Sequence, residues 1–158
     1  MSRITPFLWF DDQAEEAANL YVSLFPNSRI TSVTRYGEAG PGQPGSVMIV
    51  SFELDGLPVT ALNGGPVFKL SEAFSMSVDC ADQAEVDRYW DALLDDGGHA
   101  SQCGWLKDRY GLSWQIVPRA LPRLLADPDR AKAQRVMAAM LKMIKLDVAT
   151  LEAAAAGA

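Results

Sequence analysis

Reactive side chains crowd into Gly98 to Pro118 (GHASQCGWLKDRYGLSWQIVP), where one histidine, one thiol, two glutamines and two tryptophans fall within 21 residues. Two β-patterned runs, Gln102 to Tyr110 and Leu112 to Pro118, joined at Gly111, read as a hairpin. Successive strand side chains point to opposite faces, so Leu112, Trp114 and Ile116 form an apolar set and Ser113, Gln115 and Val117 the other. The second set, built around the Gln115 amide, suits a surface that meets a ligand. A half-exposed antiparallel strand with a polar outer face satisfies the same pattern.

Cys103, beside Gly104 and Trp105, is the single side chain here with nucleophilic potential. A thiolate needs a cation or base close by, and Lys107 and Arg109 are the nearest in sequence; a small packing residue on a strand is the competing reading. His99, the only histidine, follows Gly97-Gly98 in a turn and reads as solvated. No serine is aimed at it, so no Ser/His/Asp constellation forms. Lys107, Asp108 and Arg109 read as a hydrated turn. The sequence assigns no catalytic residue.

The elements that must position these groups show as periodicity. Arg3 to Phe10 alternates as a strand, with Phe7 and Trp9 on one side and Leu8 and Phe10 on the other. Ala14, Ala17, Ala18, Tyr21, Leu24 and Phe25 recur at helical spacing. Asp12 stands at the cap of that helix and Glu15 at the reciprocal position of a capping box; Pro26-Asn27 stops it. Strands follow at Ser28 to Tyr36, Gly45 to Leu54 and Leu57 to Gly64, with Asp55-Gly56 as a tight hairpin turn.

The same order then restarts. After the strand Ala73 to Cys80, Asp82-Gln83-Ala84-Glu85 repeats Asp12-Gln13-Ala14-Glu15 letter for letter, 70 residues later. The second helix carries Val86, Trp90, Leu93 and Leu94 and ends at Gly97-Gly98. Three strand pieces, Gly98 to Gly104, Trp105 to Tyr110 and Leu112 to Pro118, complete the copy.

The expectation is an α+β chain forming a single domain, 1–158, built from two βαβββ modules, 1–66 and 72–118, and a helical segment, 119–158. The modules share one curved mixed sheet, with helices on its convex side and a small-molecule pocket on its concave side. Alternation brings Phe7, Trp9, Asn63, Ser75, Ser77, Cys103, Trp105 and Gln115 to that pocket, with Asp79 solvated at a strand end. Such a mostly apolar hollow with a few hydrogen-bonding groups suits a small aromatic or amphipathic ligand. In the helical segment, Ala120 to Ala126 is a short helix and Asp127-Pro128 starts another that runs to about Lys145. Met137, Met140, Leu141 and Ile144 form a packing stripe, and the helical end, ATLEAAAAGA, frays.

Composition excludes several classes. A formal charge of -6 with scattered basic residues offers no electrostatic footprint for nucleic acid. No apolar run approaches the roughly 20 residues of a spanning helix, so no membrane partner is expected. The start, MSRITPFLWF, reads as a strand rather than a secretion signal, which points to the cytoplasm. Cys80 and Cys103 lack the spacing for a metal or disulfide framework and read as half-buried free thiols.

Paired βαβββ modules with these residues resemble the vicinal oxygen chelate superfamily of glyoxalases, extradiol dioxygenases and bleomycin-resistance proteins, and within it the PhnB-like branch. The resemblance rests on ITPFLWFDDQAEEAANLYVSLFPNSRI, ALNGGPVFKLSEAFSMSV and QCGWLKDRYGLSWQIVP, and with the C-terminal helices it spans nearly the whole chain. It implies a homodimer of paired modules. Metal-using relatives bind a divalent ion through four His, Glu or Gln side chains, and the matching places here are Thr5 or Pro6, Ala61 or Asn63, Ala73, and Gln115. Only Gln115 and Asn63 could offer an oxygen, and neutral amides are poor cages for zinc or iron. Val67 stands where relatives often carry His. No glyoxalase-type metal site is therefore expected.

Members of the branch are often labelled demethylubiquinone 3-methyltransferase. A methyl donor is usually held by a glycine-rich turn between a parallel strand and a helix, whereas the glycine clusters here, Gly37 to Gly45 and Gly64-Gly65, lead into strands or loops. No cofactor is expected, and the label stays as an alternative. A non-catalytic protein that binds or sequesters a small molecule is the other; whether the chain is an enzyme stays open.

Overall fold

The computed structural model describes Ser2–Ala158, and its contacts divide the chain into two compact units, one ending at Leu70 and the other starting at Ser71. The first unit runs β1 (Phe7–Phe10), α1 (Ala14–Leu24), β2 (Arg29–Arg35), β3 (Val47–Leu54) and β4 (Leu57–Asn63). These strands form a four-stranded mixed sheet, ordered β1-β4-β3-β2, in which only the β1–β4 pair is parallel.

Alternation decides its two faces. Leu8, Phe10, Val50, Phe52, Val59 and Ala61 are buried, and α1 packs on β3 and β4 through buried Ala14, Ala17, Ala18 and Tyr21. The alanines let the helix approach closely, and the Tyr21 and Phe52 rings fill the space beyond them, 6.4 Å between centroids. Asp55 and Gly56, with φ of 48° and 81°, close the β3–β4 hairpin as the expected two-residue turn, whose twist matches the strands.

The second unit repeats the plan as β5 (Ser75–Cys80), α2 (Gln83–Leu94), β6 (His99–Ala100), β7 (Trp105–Lys107) and β8 (Ser113–Pro118). Its sheet order is β5-β8-β7-β6, with β5 parallel to β8. The α+β class and the two βαβββ modules are as the sequence indicates. The strands close as two four-stranded sheets, one in each unit.

Three helices follow, α3 (Ala120–Leu125), α4 (Arg130–Met140) and α5 (Val148–Ala155). They enclose a small core of Leu121, Leu124, Val136, Leu146, Leu151 and Ala155. Helix α4 stops at Met140 rather than near Lys145. Beyond it the carbonyls of Met143 and Ile144 accept from the Cys103 and Gly104 N–H groups, both at 2.8 Å, which ties this segment to the β6–β7 turn. The helical end forms α5, which Asp147 caps by accepting from Thr150 N at 2.7 Å and in which Leu151 is fully buried. Among the described residues no helix is long and apolar enough to cross a membrane.

Candidate functional site

Register brings the chemistry of the second unit onto one sheet face. His99 pairs with Lys107, Lys107 with Ser113 and Ser113 with Ser75, giving one row across the strands. Trp105, Gln115 and Ser77 make the next row. The alternate side chains, among them Cys80, Leu106, Trp114 and Ile116, are buried on the face where α2 packs against β7 and β8. Gln115 Nε2 donates to Ser75 Oγ at 3.0 Å, which fixes the amide.

A cavity of about 240 Å³ opens at the β6–β7 end of this face, lined by Glu72, His99, Ser101, Trp105, Lys107 and Ser113 among others. The Lys107 ammonium pairs with the Glu72 carboxylate. That hydrogen bond, ahead of the simple charge attraction, holds the Glu72 carboxyl below its ordinary range. His99 belongs to strand β6 rather than to a turn, and its side chain lines the cavity.

The turn that builds the hairpin differs from the hydrated one expected. Asp108 is 2% exposed, and its carboxylate accepts from Tyr110 N at 2.8 Å, Leu112 N at 3.1 Å and Trp114 Nε1 at 2.9 Å. Convergent N–H donors replace the water a buried carboxylate gives up. The cations flanking it are committed elsewhere: Lys107 to Glu72, and Arg109 to Asp96 at 3.6 Å and to the Tyr110 ring.

Cys103 stands in the turn between β6 and β7 with φ of 58°, outside the residues that line the cavity. Next to it, Gly104 takes φ of 84°, and a Cβ there would come within 2.8 Å of Leu146 Cδ1. Cys80 is fully buried rather than half-buried, and burial, with Glu85 and Asp79 adding to it, pushes its thiol up to about 12. It is inert as a nucleophile. Asp79 meets Arg119 at 2.8 Å on the surface.

In the first unit Phe7, 58% exposed, and Trp9 share the sheet face away from α1, in register with Thr60 and Leu62. Trp9 Nε1 donates to Gly65 O at 2.9 Å, and Phe68 meets the indole edge-on, 5.0 Å between centroids. Gly64 lies so close to the Trp9 ring that a Cβ would collide with it.

Asn63 lies on the opposite face. Its Oδ1 accepts from Ala14 N at 2.8 Å and its Nδ2 donates to Val47 O at 3.1 Å. It thus does the work expected of Asp12: the cap position of α1 is Gln13, with no side-chain cap bond. A second cavity, about 360 Å³, opens there, lined by Asp11, Asp12, Glu15, Glu16, Tyr36 and Asn63 among others. The sequence reading missed it, although four carboxylates in the six residues DDQAEE were a signal. Among the described residues no three His, Cys, Asp or Glu side chains converge in a way that could hold a metal ion.

A family model described as 3-demethylubiquinone-9 3-methyltransferase matches residues 2–117. The chain belongs to this PhnB-like family. A Bacillus cereus structure described as a putative 3-demethylubiquinone-9 3-methyltransferase, PhnB protein, is 36% identical with a TM-score of 0.68. The match covers 74% of this chain and 99% of that one. The Pseudomonas aeruginosa protein PA1353 is 19% identical over 75% of this chain and 98% of its own, with a TM-score of 0.61, and shows the shared fold. No curated protein matches the chain. The PhnB-like match ends at residue 117, before α3, so the three terminal helices lie outside the family's own module pair.

Proposed function

We propose that this PhnB-like protein binds a small molecule on the open face of β5–β8, as a cytoplasmic homodimer and without a glyoxalase-type metal. One observation carries the reading: the half-buried indole of Trp105, the Lys107 side chain and the Ser113 hydroxyl line one cavity of about 240 Å³. A flat apolar wall with a few convergent polar atoms is how small ligands are held and oriented. The Gln115–Ser75 bond commits the one amide of the expected metal set that lies on this face. Exposed Ile4, Phe7, Val67 and Phe68 in the first unit support assembly with a second copy.

A thermal-shift screen with small aromatics, quinone-like compounds, thiol conjugates and divalent metals tests this. A ligand that binds only the folded state raises its apparent stability. The expected result is stabilisation by an aromatic compound that Trp105→Ala abolishes. Purified protein that retains stoichiometric zinc, manganese, iron or nickel would overturn the metal-free reading, and light scattering decides the dimer.

The name of the family model and of the Bacillus cereus relative favours a second reading, methyl transfer to a demethylated quinone. The strand-to-helix connections, Asp11 to Gln13 and Ala81-Asp82, contain carboxylates and no glycine, which is unfavourable for a nucleotide-like donor. Saturable binding of S-adenosylmethionine, with methylation of a catechol-type acceptor, would establish that reading over the first.

A further inference from the structure

Ser113 is the only buried polar side chain among the described residues whose oxygen has no hydrogen-bond partner. It is 1% exposed and lines the cavity of the second unit. A buried hydroxyl without a partner destabilises the fold, and alanine would serve this strand position better. Such groups call for a role, and a ligand atom in the cavity gives one.

The neighbours say what kind of atom. Lys107 is in register with Ser113 on one side and with His99 on the other, so the row presents an ammonium, a hydroxyl and an imidazole, all able to donate. Glu72 pairs with the ammonium. Both residues line the cavity, but the Glu72 side chain is 66% exposed and Lys107 only 32%, so the carboxylate stands at the solvent side of the pair and the lysine deeper in the wall. A carboxylate is thus already the species this ammonium selects.

We propose that the cavity takes the carboxylate of a small aromatic acid, which displaces Glu72 from Lys107, accepts from Ser113 Oγ and lays its ring on Trp105. This rests on the reading above that the open face of β5–β8 is a small-molecule site, and names the ligand class. A cavity of about 240 Å³ accommodates a single substituted ring. Lys107 Nζ supplies the opposite charge, and the Ser113 hydroxyl supplies a bond whose formation removes an existing defect.

Calorimetric titration with benzoate, and with neutral benzamide as control, decides the matter. Benzoate is expected to bind at least about tenfold tighter than benzamide. Glu72→Gln frees Lys107 and is expected to tighten benzoate by about three- to tenfold while leaving benzamide unchanged. Ser113→Ala is expected to weaken benzoate several-fold while raising the melting temperature of the free protein by about 2–4 °C. That pairing of lower affinity with higher stability is one a merely structural serine would not give. Lys107→Met, at a half-exposed position, removes the preference for benzoate.

Equal affinities for benzoate and benzamide, or benzoate weakened by Glu72→Gln, overturn the carboxylate assignment and leave the small-molecule site standing. If neither compound binds and no aromatic in the wider screen responds to Trp105→Ala, the site itself is wrong.

Discussion

The two modules start their helices with the same four letters and use them differently. In the second module Asp82 Oδ1 accepts from Glu85 N at 3.0 Å, and Glu85 Oε2 reaches back to accept from Ala81 N at 2.8 Å, a reciprocal cap. In the first, Asp12 and Glu15 line a cavity and Asn63 caps the helix from β4. The register explains the divergence. Asn63 is paired with Phe10, and the corresponding partner of Cys80 is Pro118, whose ring offers no acceptor. A helix whose neighbouring strand supplies the cap releases its own acidic residues for other contacts.

The hairpins diverge in the same way. The first is closed by a two-residue turn, Asp55-Gly56, without help from its own side chains, whereas the second turns through a longer segment held by buried Asp108. Asp108→Ala leaves three N–H donors without their carboxylate and is expected to cost about 3–5 kcal/mol of stability. Chemical denaturation measures it. A loss below about 1 kcal/mol would mean that the second hairpin, like the first, closes without its side chain.

What the sequence made legible and what it hid follow from distance along the chain. Alternation in Phe7–Phe10 and Ser113–Pro118, helical spacing in Ala14 to Tyr21, and the Asp55-Gly56 turn are local, so the doubled βαβββ plan could be read directly. The role of Asn63 was hidden because the N–H it caps lies 49 residues earlier. Asp108 looked solvated because its donors converge only once the hairpin has closed. The same is true of the segment after α4, whose bonds to the Cys103-Gly104 turn join residues far apart in the chain. Of the residues expected to share a pocket, Ser75, Ser77, Trp105 and Gln115 do lie on one face of one sheet. Ser113 shares that face with Gln115 as alternation has it, but its burial without a hydrogen-bond partner depends on packing that alternation does not encode.

Removing the caps sharpens the comparison. Asn63→Ala deletes bonds to Ala14 N and Val47 O and is expected to cost about 1–2 kcal/mol, against about 1 kcal/mol for Asp82→Ala. The order matters more than the size. If Asp12 can resume the cap in the Asn63 variant, the loss falls below that of Asp82→Ala, and adding Asp12→Ala restores it. Urea midpoints of the three variants separate these outcomes, since caps change the midpoint and not the slope.

The smallest effect lies at the second letter of the repeat. Gln13 makes no cap bond with its side chain, whereas Gln83 accepts from Val148 N at 2.7 Å and donates to Leu146 O at 3.1 Å and Asp87 Oδ1 at 3.0 Å. It ties α2 to the start of α5, in the helical segment beyond the family match. Gln83→Ala is therefore expected to cost about 1–2 kcal/mol and Gln13→Ala no more than about 0.5 kcal/mol. Hydrogen exchange at α5 amides should quicken in the first variant alone, because a segment held by fewer bonds opens more often. Equal losses in both would mean that the terminal helices are held by their own core of Leu121, Leu146 and Leu151, and that the repeat acquired no new work in its second copy.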